Sequence, residues 1–338
     1  MKTSDFNYVL PKEFIAQTPV EPRDSSRLMV YNRKTGEIIH TIFRKLPDFL
    51  SAGDLLVLNQ TRVIPARLFG KKIPTGGKVE VLLLKKLGEC TWETIVGGKR
   101  LFPNKEINFD DQITGKITEM LDGKRRIIRF SHPIENYLDS HGIMPLPPYI
   151  HIPLHDPERY QTIYAQEKGS AAAPTAGLHF TESLFQELRN KSIQSVNVTL
   201  HVGLDTFEPV NEEDPRDHKI HTEWCKLDAP TSLMINQAID NGHRVVAVGT
   251  TSVRVIETAA DSKKKKVHSF EGPTSLYILP EYKFNIVDAL ITNFHLPKST
   301  LLMLVSAFVG RETILRLYEI AMNKGYRFYS FGDAMLIL

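Results

Sequence analysis

The sequence predicts an α/β protein into which an all-β module is inserted. Two observations lead to this fold class. From Val245 onward, apolar runs typical of buried strands alternate with longer helical patterns, as in VVAVG before TTSVRVIETAA and VDALIT before STLLMLVSAFVG. From about Ala66 to Pro148, short β-type runs follow one another with only tight turns between them. The first pattern indicates a layered core with parallel strands, and the second a small barrel or sandwich.

Within the α/β part, SVNVTLHVG and RFYSFGDAMLIL are expected to be strands. RETILRLYEIAMNKG is expected to be a helix that ends at Gly325, because its apolar residues recur on one face. The strands of the all-β part are expected in ARLFGKK, KVEVLLLKK, TWETIVG, GKITEML and KRRIIRF. The insertion is therefore placed at residues 65–150, inside a discontinuous core of residues 1–64 and 151–338.

Composition excludes several classes of protein. A hydrophobic content of 42% with 24% charged residues is ordinary for a globular protein and excludes disorder. Lys plus Arg exceed Asp plus Glu by 42 to 39, which allows a local basic face for RNA without demonstrating one. Cys90 and Cys225 form no CxxC pair, so a reducing cytoplasm is expected. No signal-peptide core or bilayer-length apolar run occurs, so neither secretion nor membrane insertion is expected.

Common cofactor motifs are missing from the sequence, which has no GxGxxG, Walker A or GxSxG pattern. Four other segments combine small, hydroxylic and basic residues where a strand is expected to end. They are AAAPTAGLHFT, HVGLDTFEPV, GTTSVR and TNFHLPKST. Ligands of α/β sheets and barrels bind where such loops converge, at the carboxyl ends of the strands. We therefore expect one shared site.

The loop GTTSVR offers Thr250, Thr251, Ser252 and Arg254 at the start of a helix, where free backbone donors suit an anionic or polar ligand. In the alternative interpretation, Thr251 or Ser252 only caps its own helix. That alternative does not account for Arg254.

The loop AAAPTAGLHFT contains Thr175, Gly177 and His179, and Thr181 can begin the following helix. Glycine would let a ligand approach the backbone closely. His179 lies between two apolar residues, so a hydrogen-bonded core histidine is the alternative to a catalytic one.

The remaining two loops supply further candidates. TNFHLPKST contains Asn293, His295, Lys298 and Ser299, and either Ser299 or Thr300 can cap the apolar helix that follows. Candidates for substrate binding in HVGLDTFEPV are His201, Gly203 and Thr206.

Near DHKIHTEW, the HxxH spacing of His218 and His221 could place two imidazoles on one helical face beside Glu223. A zinc site would need a further positioned ligand, so substrate contacts or structural hydrogen bonds are preferred and no metal is expected.

Candidates for phosphate or amino-acid recognition near the N-terminus are Arg23, Asp24, Arg27, Asn59 and Arg62. Surface salt bridges would give the same pattern.

Eight segments, taken in order, resemble the queuosine ribosyltransferase-isomerase family across nearly the whole chain. They are RDSSRLMV, LNQTRVIPARLFG, MPLPPYI, ERYQTIYAQEKGSAAAPTAGLHFT, LHVGLDTFEPV, AVGTTSVR, TNFHLPKSTLLMLVSAFVG and YRFYSFGDAMLIL. The resemblance implies a partial-barrel-like α/β core with an inserted small all-β barrel domain. Asp205 stands where the family usually has glycine and Pro273 where tryptophan is frequent, which puts the close-approach role of that glycine in doubt here.

The same resemblance implies a reaction. S-adenosylmethionine would act as a ribosyl donor and co-substrate, and the acceptor would be 7-aminomethyl-7-deazaguanine at the wobble position of tRNA. The products would be epoxyqueuosine-tRNA, adenine and methionine. A general base would remove the C5′ hydrogen next to the sulfonium, and a donor would assist the departure of adenine. This scheme needs neither a metal nor a redox cofactor, and it implies no protein partner and no membrane.

His179 or His295 is the expected proton-transfer residue, since imidazole accepts or donates a proton near neutral pH. Lys298, Arg254 and Glu223 are rival participants in charge stabilisation. Two other functions remain open: a phosphate-binding glycosyl or aldol-type transferase that uses the same loops, and a noncatalytic RNA-binding module. Release of adenine only in the presence of acceptor tRNA would distinguish the ribosyltransferase-isomerase from the first alternative. Catalytic turnover would distinguish it from the noncatalytic RNA-binding module.

Overall fold

A computed structural model describes residues 1–110, 113–203 and 209–338. The chain divides into two compact units. A core unit consists of Met1–Arg62, Pro147–Glu167 and Ala173–Leu338, and a barrel unit consists of Val63–Leu146 and Lys168–Ala172. The predicted insertion, residues 65–150, does not include Lys168–Ala172. These residues join the barrel unit because the backbone N–H of Ile64 donates to the carbonyl of Ser170 at 2.9 Å.

The described residues form strands, α-helices and short 3-10 helices. The strands are β1 (Arg27–Tyr31), β2 (Ile38–Ile42), β3 (Leu55–Asn59), β4 (Thr61–Val63), β5 (Arg67–Ile73), β6 (Lys78–Gly88), β7 (Thr91–Gly97), β8 (Glu106–Asn108), β9 (Thr114–Met120), β10 (Arg125–Phe130), β11 (Glu167–Ser170), β12 (Gln194–Leu200), β13 (Glu223–Leu227), β14 (Val245–Val248), β15 (Ala260–Asp261), β16 (Lys266–Val267), β17 (Phe270–Thr274), β18 (Ala289–Asn293) and β19 (Ala334–Ile337). The α-helices are α1 (Glu135–His141), α2 (Glu182–Asn190), α3 (Ala229–Asp240), α4 (Thr250–Thr258), α5 (Thr300–Val309) and α6 (Arg311–Asn323). The 3-10 helices are Thr3–Phe6, Lys12–Phe14, Arg23–Ser25, Phe43–Asp48, Pro157–Tyr160, Thr175–His179 and Pro215–Asp217.

The core unit is built on one mixed sheet with the strand order β17-β13-β12-β3-β14-β18-β19-β1-β2. Its central strands β12, β3, β14 and β18 run parallel, as the alternation of strands and helices predicts. Strands β3, β14 and β18 are buried along their whole length, because the faces of a parallel sheet are covered by helices. The carboxyl ends of β12, β14 and β18 lead into three of the four predicted ligand-binding loops.

The barrel unit holds a closed six-stranded barrel with the strand order β10-β7-β6-β5-β8-β9. Its strands alternate buried and exposed residues, as in the strictly alternating burial of β7, because every second side chain points inward. The choice between barrel and sandwich is thereby settled. With an unclosed α/β sheet in the core unit and this closed barrel, the predicted fold class is confirmed.

Helix boundaries follow the sequence at several points. Helix α6 ends before Gly325, whose φ of 72° only glycine adopts without cost. Thr181 caps α2 by accepting a hydrogen bond from the backbone of Leu184 at 3.2 Å. Ser299, and not Thr300, caps α5 in the same way. No helix within the described part of the chain is long and apolar enough to span a membrane.

Two local possibilities that the sequence left open are not realised. Helix α4 begins at Thr250 after Gly249, whose φ is 86°, so neither Thr251 nor Ser252 caps it. The hydroxyl of Ser252 instead donates to the carbonyl of Val248 at 2.8 Å. His218 and His221 do not share a helical face, because the 3-10 helix Pro215–Asp217 ends before them and β13 begins at Glu223.

Candidate active site

The four loops singled out in the sequence meet at a cavity in the core unit, at the carboxyl ends of β14 and β18. We call it the central cavity. All four predicted loops contribute to it. Its polar and loop residues include Tyr149, Thr175, Val202, Thr250, Thr251, Thr292, Asn293, His295, Ser299, Tyr329 and Ser330.

His295 lines the central cavity and is one of the two histidines that the sequence suggested for proton transfer. Its Nε2 lies 2.7 Å from Oγ1 of Thr292. Its backbone is held on both sides, because its N–H donates to the hydroxyl of Tyr318 at 2.8 Å and its carbonyl accepts from the hydroxyl of Tyr8. Burial lowers the pKa of His295 to about 3, so its imidazole is neutral at neutral pH.

Thr251 places a second polar group at the cavity. Its Oγ1 is buried and has no hydrogen-bonding partner among the described residues. A buried hydroxyl without a partner costs stability, and most such groups in folded proteins are paired. The position of Thr251 on the first turn of α4 therefore marks it as a group that a ligand would satisfy.

A hydrogen-bonded chain runs behind the cavity. Thr175 donates its hydroxyl to Oδ1 of Asn293 at 2.9 Å, and the Nδ2 of Asn293 lies 3.4 Å from Nε2 of His179. The other ring nitrogen of His179 lies 2.8 Å from Oγ of Ser26. This histidine does not line the central cavity but a smaller one beside Arg23. Burial, with weaker effects from Arg327 and Arg23, lowers the pKa of His179 to about 3.

A second cavity lies next to the central one and shares Leu301 with it. We call it the ion-pair cavity. Glu223 of β13 and Arg254 of α4 form a buried ion pair there, with side chains 7% and 8% exposed. Gly203 donates its N–H to Oε1 of Glu223 at 2.8 Å, and His221 also lines the cavity. Four sequence candidates thus come together here.

His201 and Asn59 lie outside both cavities. The Nδ1 of His201 lies 2.8 Å from Oγ1 of Thr61, and the ring stacks on Trp224 with centroids 5.1 Å apart. Burial lowers the pKa of His201. Asn59 is fully buried and binds both the N–H and the carbonyl of Leu200 at 3.0 Å. Its side chain joins β3 to β12 and is not available to a substrate.

The N-terminal candidates make intramolecular contacts. Arg23 donates to the carbonyls of Leu178 and Glu158 at 3.2 and 2.8 Å. Asp24 accepts from Arg44 and from the hydroxyl of Thr181, both at 3.1 Å. The guanidinium of Arg27 lies 3.9 Å from the ring centroid of Tyr326, and Arg62 pairs with Glu158. Arg23 lines the cavity beside His179.

Three further candidates do not reach the central cavity. Lys298 lies in a shallow surface depression with Lys2 and Glu213. Gly177 is required by packing, because a Cβ there would lie 1.9 Å from the hydroxyl of Tyr164. Ser252 is fully buried in α4. Thr206 and the unusual Asp205 lie outside the described residues.

Sequence reasoning missed the aromatic walls. Tyr149 and Tyr329 line the central cavity, and Tyr277 lines the ion-pair cavity. In the sequence, Tyr149 follows a proline-rich segment and Tyr329 precedes Ser330 and Phe331, so each could be recognised only as a tyrosine in an irregular segment. In the structure, the backbone of Tyr329 has a φ of 70°. Among the described residues, no group of three or more His, Cys, Asp or Glu is arranged to hold a metal ion.

Comparison with known proteins gives a consistent result. A family model described as a queuosine biosynthesis protein matches residues 3–337. S-adenosylmethionine:tRNA ribosyltransferase-isomerases from Desulfitobacterium hafniense and Symbiobacterium thermophilum are 53% and 54% identical to this chain, with full coverage of both sequences. A crystal structure of S-adenosylmethionine tRNA ribosyltransferase from Thermotoga maritima matches with a TM-score of 0.57 and 37% identity, over 99% of this chain and 100% of that one.

Proposed function

The chain belongs to the queuosine biosynthesis protein family and carries S-adenosylmethionine:tRNA ribosyltransferase-isomerase activity, and from this we propose that its acceptor is a 7-aminomethyl-7-deazaguanine base at the tRNA wobble position. The products are then epoxyqueuosine-tRNA, adenine and methionine. In this proposal the reaction takes place in the cytoplasm, where tRNA is available, and proceeds without a metal or redox cofactor.

We place S-adenosylmethionine in the central cavity. The observation that supports this placement is that Thr251 and His295 bring a buried unpaired hydroxyl and a neutral imidazole to one apolar-walled cavity at the carboxyl ends of the sheet. Sites for small molecules combine apolar walls with a few positioned polar groups in this way. A structure with an S-adenosylmethionine analogue bound away from this cavity would contradict the placement.

His295, and not His179, is the proposed proton-transfer residue. The neutral imidazole presents a lone pair to the C5′ proton that the adjacent sulfonium acidifies. Its low pKa makes it a weak base for this step and makes its protonated form a strong acid, which returns the proton readily to the departing adenine. Both ring nitrogens of His179 face protein groups within hydrogen-bonding range, and that residue lies outside the central cavity. Its proposed role is to orient Asn293.

Single-turnover kinetics with the two alanine variants test this assignment. The His295→Ala enzyme is expected to keep its affinity for S-adenosylmethionine but to lose C5′ hydrogen exchange and adenine release by about 100-fold or more. The His179→Ala enzyme should retain C5′ exchange. Near-normal single-turnover rates in the His295→Ala enzyme would show that the base lies elsewhere.

The acceptor is tested separately. Purified protein, S-adenosylmethionine and tRNA are incubated with either 7-aminomethyl-7-deazaguanine or guanine at the wobble position, and the tRNA nucleosides are analysed by mass spectrometry. Adenine release and epoxyqueuosine are expected only with the deazaguanine tRNA. Modification of the guanine tRNA would refute the proposed acceptor.

A further inference from the structure

The guanidinium of Arg254 has one buried nitrogen that no described residue pairs with. Its Nη1 pairs with Glu223 and its Nε donates to the carbonyl of Leu276 at 3.1 Å. Its Nη2 is buried and makes no hydrogen bond within the part of the chain that the structure describes. Leaving a charged donor unsatisfied in the interior is expensive, so this nitrogen points to a ligand group that completes it.

The ion-pair cavity around Arg254 has a specific chemical character. It presents a cation and an anion side by side, with Leu276, Ile278 and Leu304 as apolar walls. A ligand bearing only negative charge would be repelled by Glu223, and one bearing only positive charge would be repelled by Arg254. An α-amino acid zwitterion attached to an apolar chain satisfies both charges and the walls.

We propose that the ion-pair cavity binds the methionyl end of S-adenosylmethionine, with the α-carboxylate on Nη2 of Arg254 and the α-ammonium beside Glu223. This inference rests on the proposed function, because it extends the ligand of the central cavity. The carboxylate of Glu223 already accepts from Gly203 and Arg254, and an ionised carboxylate offers about four acceptor positions in all. Specificity for the amino-acid end is then set by residues outside the central cavity.

Helix α4 connects the two cavities. Thr251 lies at the central cavity and Arg254 three residues later at the ion-pair cavity, which corresponds to about 4.5 Å along the helix axis. Leu301 lines both cavities. A ligand whose nucleoside contacts Thr251 therefore has its aliphatic chain directed along α4 toward Arg254.

The test is equilibrium binding of three ligands by calorimetry: S-adenosylmethionine, its decarboxylated analogue and its deaminated analogue. Wild-type protein is expected to bind S-adenosylmethionine about 10- to 100-fold more tightly than either analogue, the range given by one charge-assisted hydrogen bond. Arg254→Gln should lose the preference over the decarboxylated analogue only. Glu223→Gln should lose the preference over the deaminated analogue only.

The matched control is Thr251→Val, which should weaken S-adenosylmethionine and both analogues by the same factor, because it acts at the nucleoside end. The comparison of the three ligands on wild-type protein does not depend on any variant folding. Equal affinity for all three ligands would overturn the inference. If adenine were still released in the presence of tRNA, the proposed function would stand. If adenine release with tRNA were absent and S-adenosylmethionine did not bind at all, both would fail. A uniform loss of affinity in Arg254→Gln would assign Arg254 a structural role and refute its contact with the carboxylate.

Discussion

Oγ1 of Thr292 lies 2.7 Å from Nε2 of His295, and the threonine itself is buried at the end of β18. This contact holds the imidazole ring in place, and because a threonine hydroxyl can donate or accept, it does so in either tautomer. Replacing Thr292 by Val removes the hydrogen bond and keeps the shape. We expect kcat to fall about 3- to 10-fold, the equivalent of roughly 1 kcal/mol. Thr292→Ser should retain the rate, and an unchanged rate in the valine variant would show that the contact is dispensable.

Acid should destabilise the protein through its buried histidines. The pKa values of His179 and His295 lie near 3 in the folded protein, below the ordinary value of 6.5. Below pH 6.5 the unfolded chain therefore binds protons that the folded chain does not, so stability is present above pH 6.5 and falls as the pH decreases.

The expected loss is about 2 kcal/mol for each of these histidines between pH 7.5 and pH 5. Urea unfolding at the two pH values measures the loss. In a His179→Gln variant the difference between the two pH values should be smaller by about that amount. An undiminished difference would show that His179 is already protonated, or accessible to protons, in the folded state.

The contact between Gly177 and Tyr164 predicts a rescue experiment. A Cβ at residue 177 would lie 1.9 Å from the Tyr164 hydroxyl, which is itself buried without a partner among the described residues. Gly177→Ala should lower the free energy of unfolding by about 1–3 kcal/mol. Tyr164→Phe should be neutral or stabilising, and it should recover part of the loss in the double variant. Additive effects of the two changes in denaturant unfolding would contradict this account.

Binding of tRNA should depend steeply on salt, and the excess of basic charge lies in the barrel unit. Lys and Arg outnumber Asp and Glu in that unit, whereas acidic residues slightly outnumber basic ones in the core unit. Lys99 and Lys105 are exposed on a loop that also exposes Phe102. Replacing both lysines by Gln should weaken tRNA binding and reduce the slope of log K against log salt by about 0.7–0.9 for each phosphate that the protein no longer neutralises.

The control for this prediction removes the same charge from the core unit, where Lys263 and Lys264 are exposed in the lysine run. Replacing this pair by Gln should leave the slope close to that of the wild type. Equal effects of the two double variants would indicate a general electrostatic contribution and no preference for the barrel unit. Binding that is insensitive to salt would contradict phosphate recognition altogether.

Local patterns predicted the regular parts of this protein well and the site only in part. Strands β5, β6, β7, β9 and β10 were evident from alternation and turn residues, whereas β8 was missed because three residues are too few to show a period. Glu223 and Arg254 were both candidates, but their pairing depends on β13 and α4 meeting in space. Sequence spacing carries no information on such a contact.

Several of the site candidates also have a structural role. Asn59, His201 and Gly177 were candidates for ligand binding because of their residue types, yet each is used by the fold itself: Asn59 binds the backbone of β12, His201 stacks on Trp224, and Gly177 makes room for Tyr164. Polar residues at strand ends form the same kind of hydrogen bond whether they bind backbone N–H and carbonyl groups or a ligand. Only burial and partners distinguish the two uses.

The parallel pairing of β1 with β19, in which Leu28 lies opposite Ala334, constrains the order in which the protein can fold during synthesis. At usual translation rates, the roughly 300 residues between them take about 15–60 s to emerge from the ribosome. The barrel unit is complete by Ala172, so it can fold on the ribosome while β1 still lacks its neighbour. Nascent chains arrested before β19 should therefore contain a protease-resistant barrel and a protease-sensitive core. Such chains would expose apolar sheet residues, and transiently exposed apolar surface of this kind is what chaperones protect from aggregation.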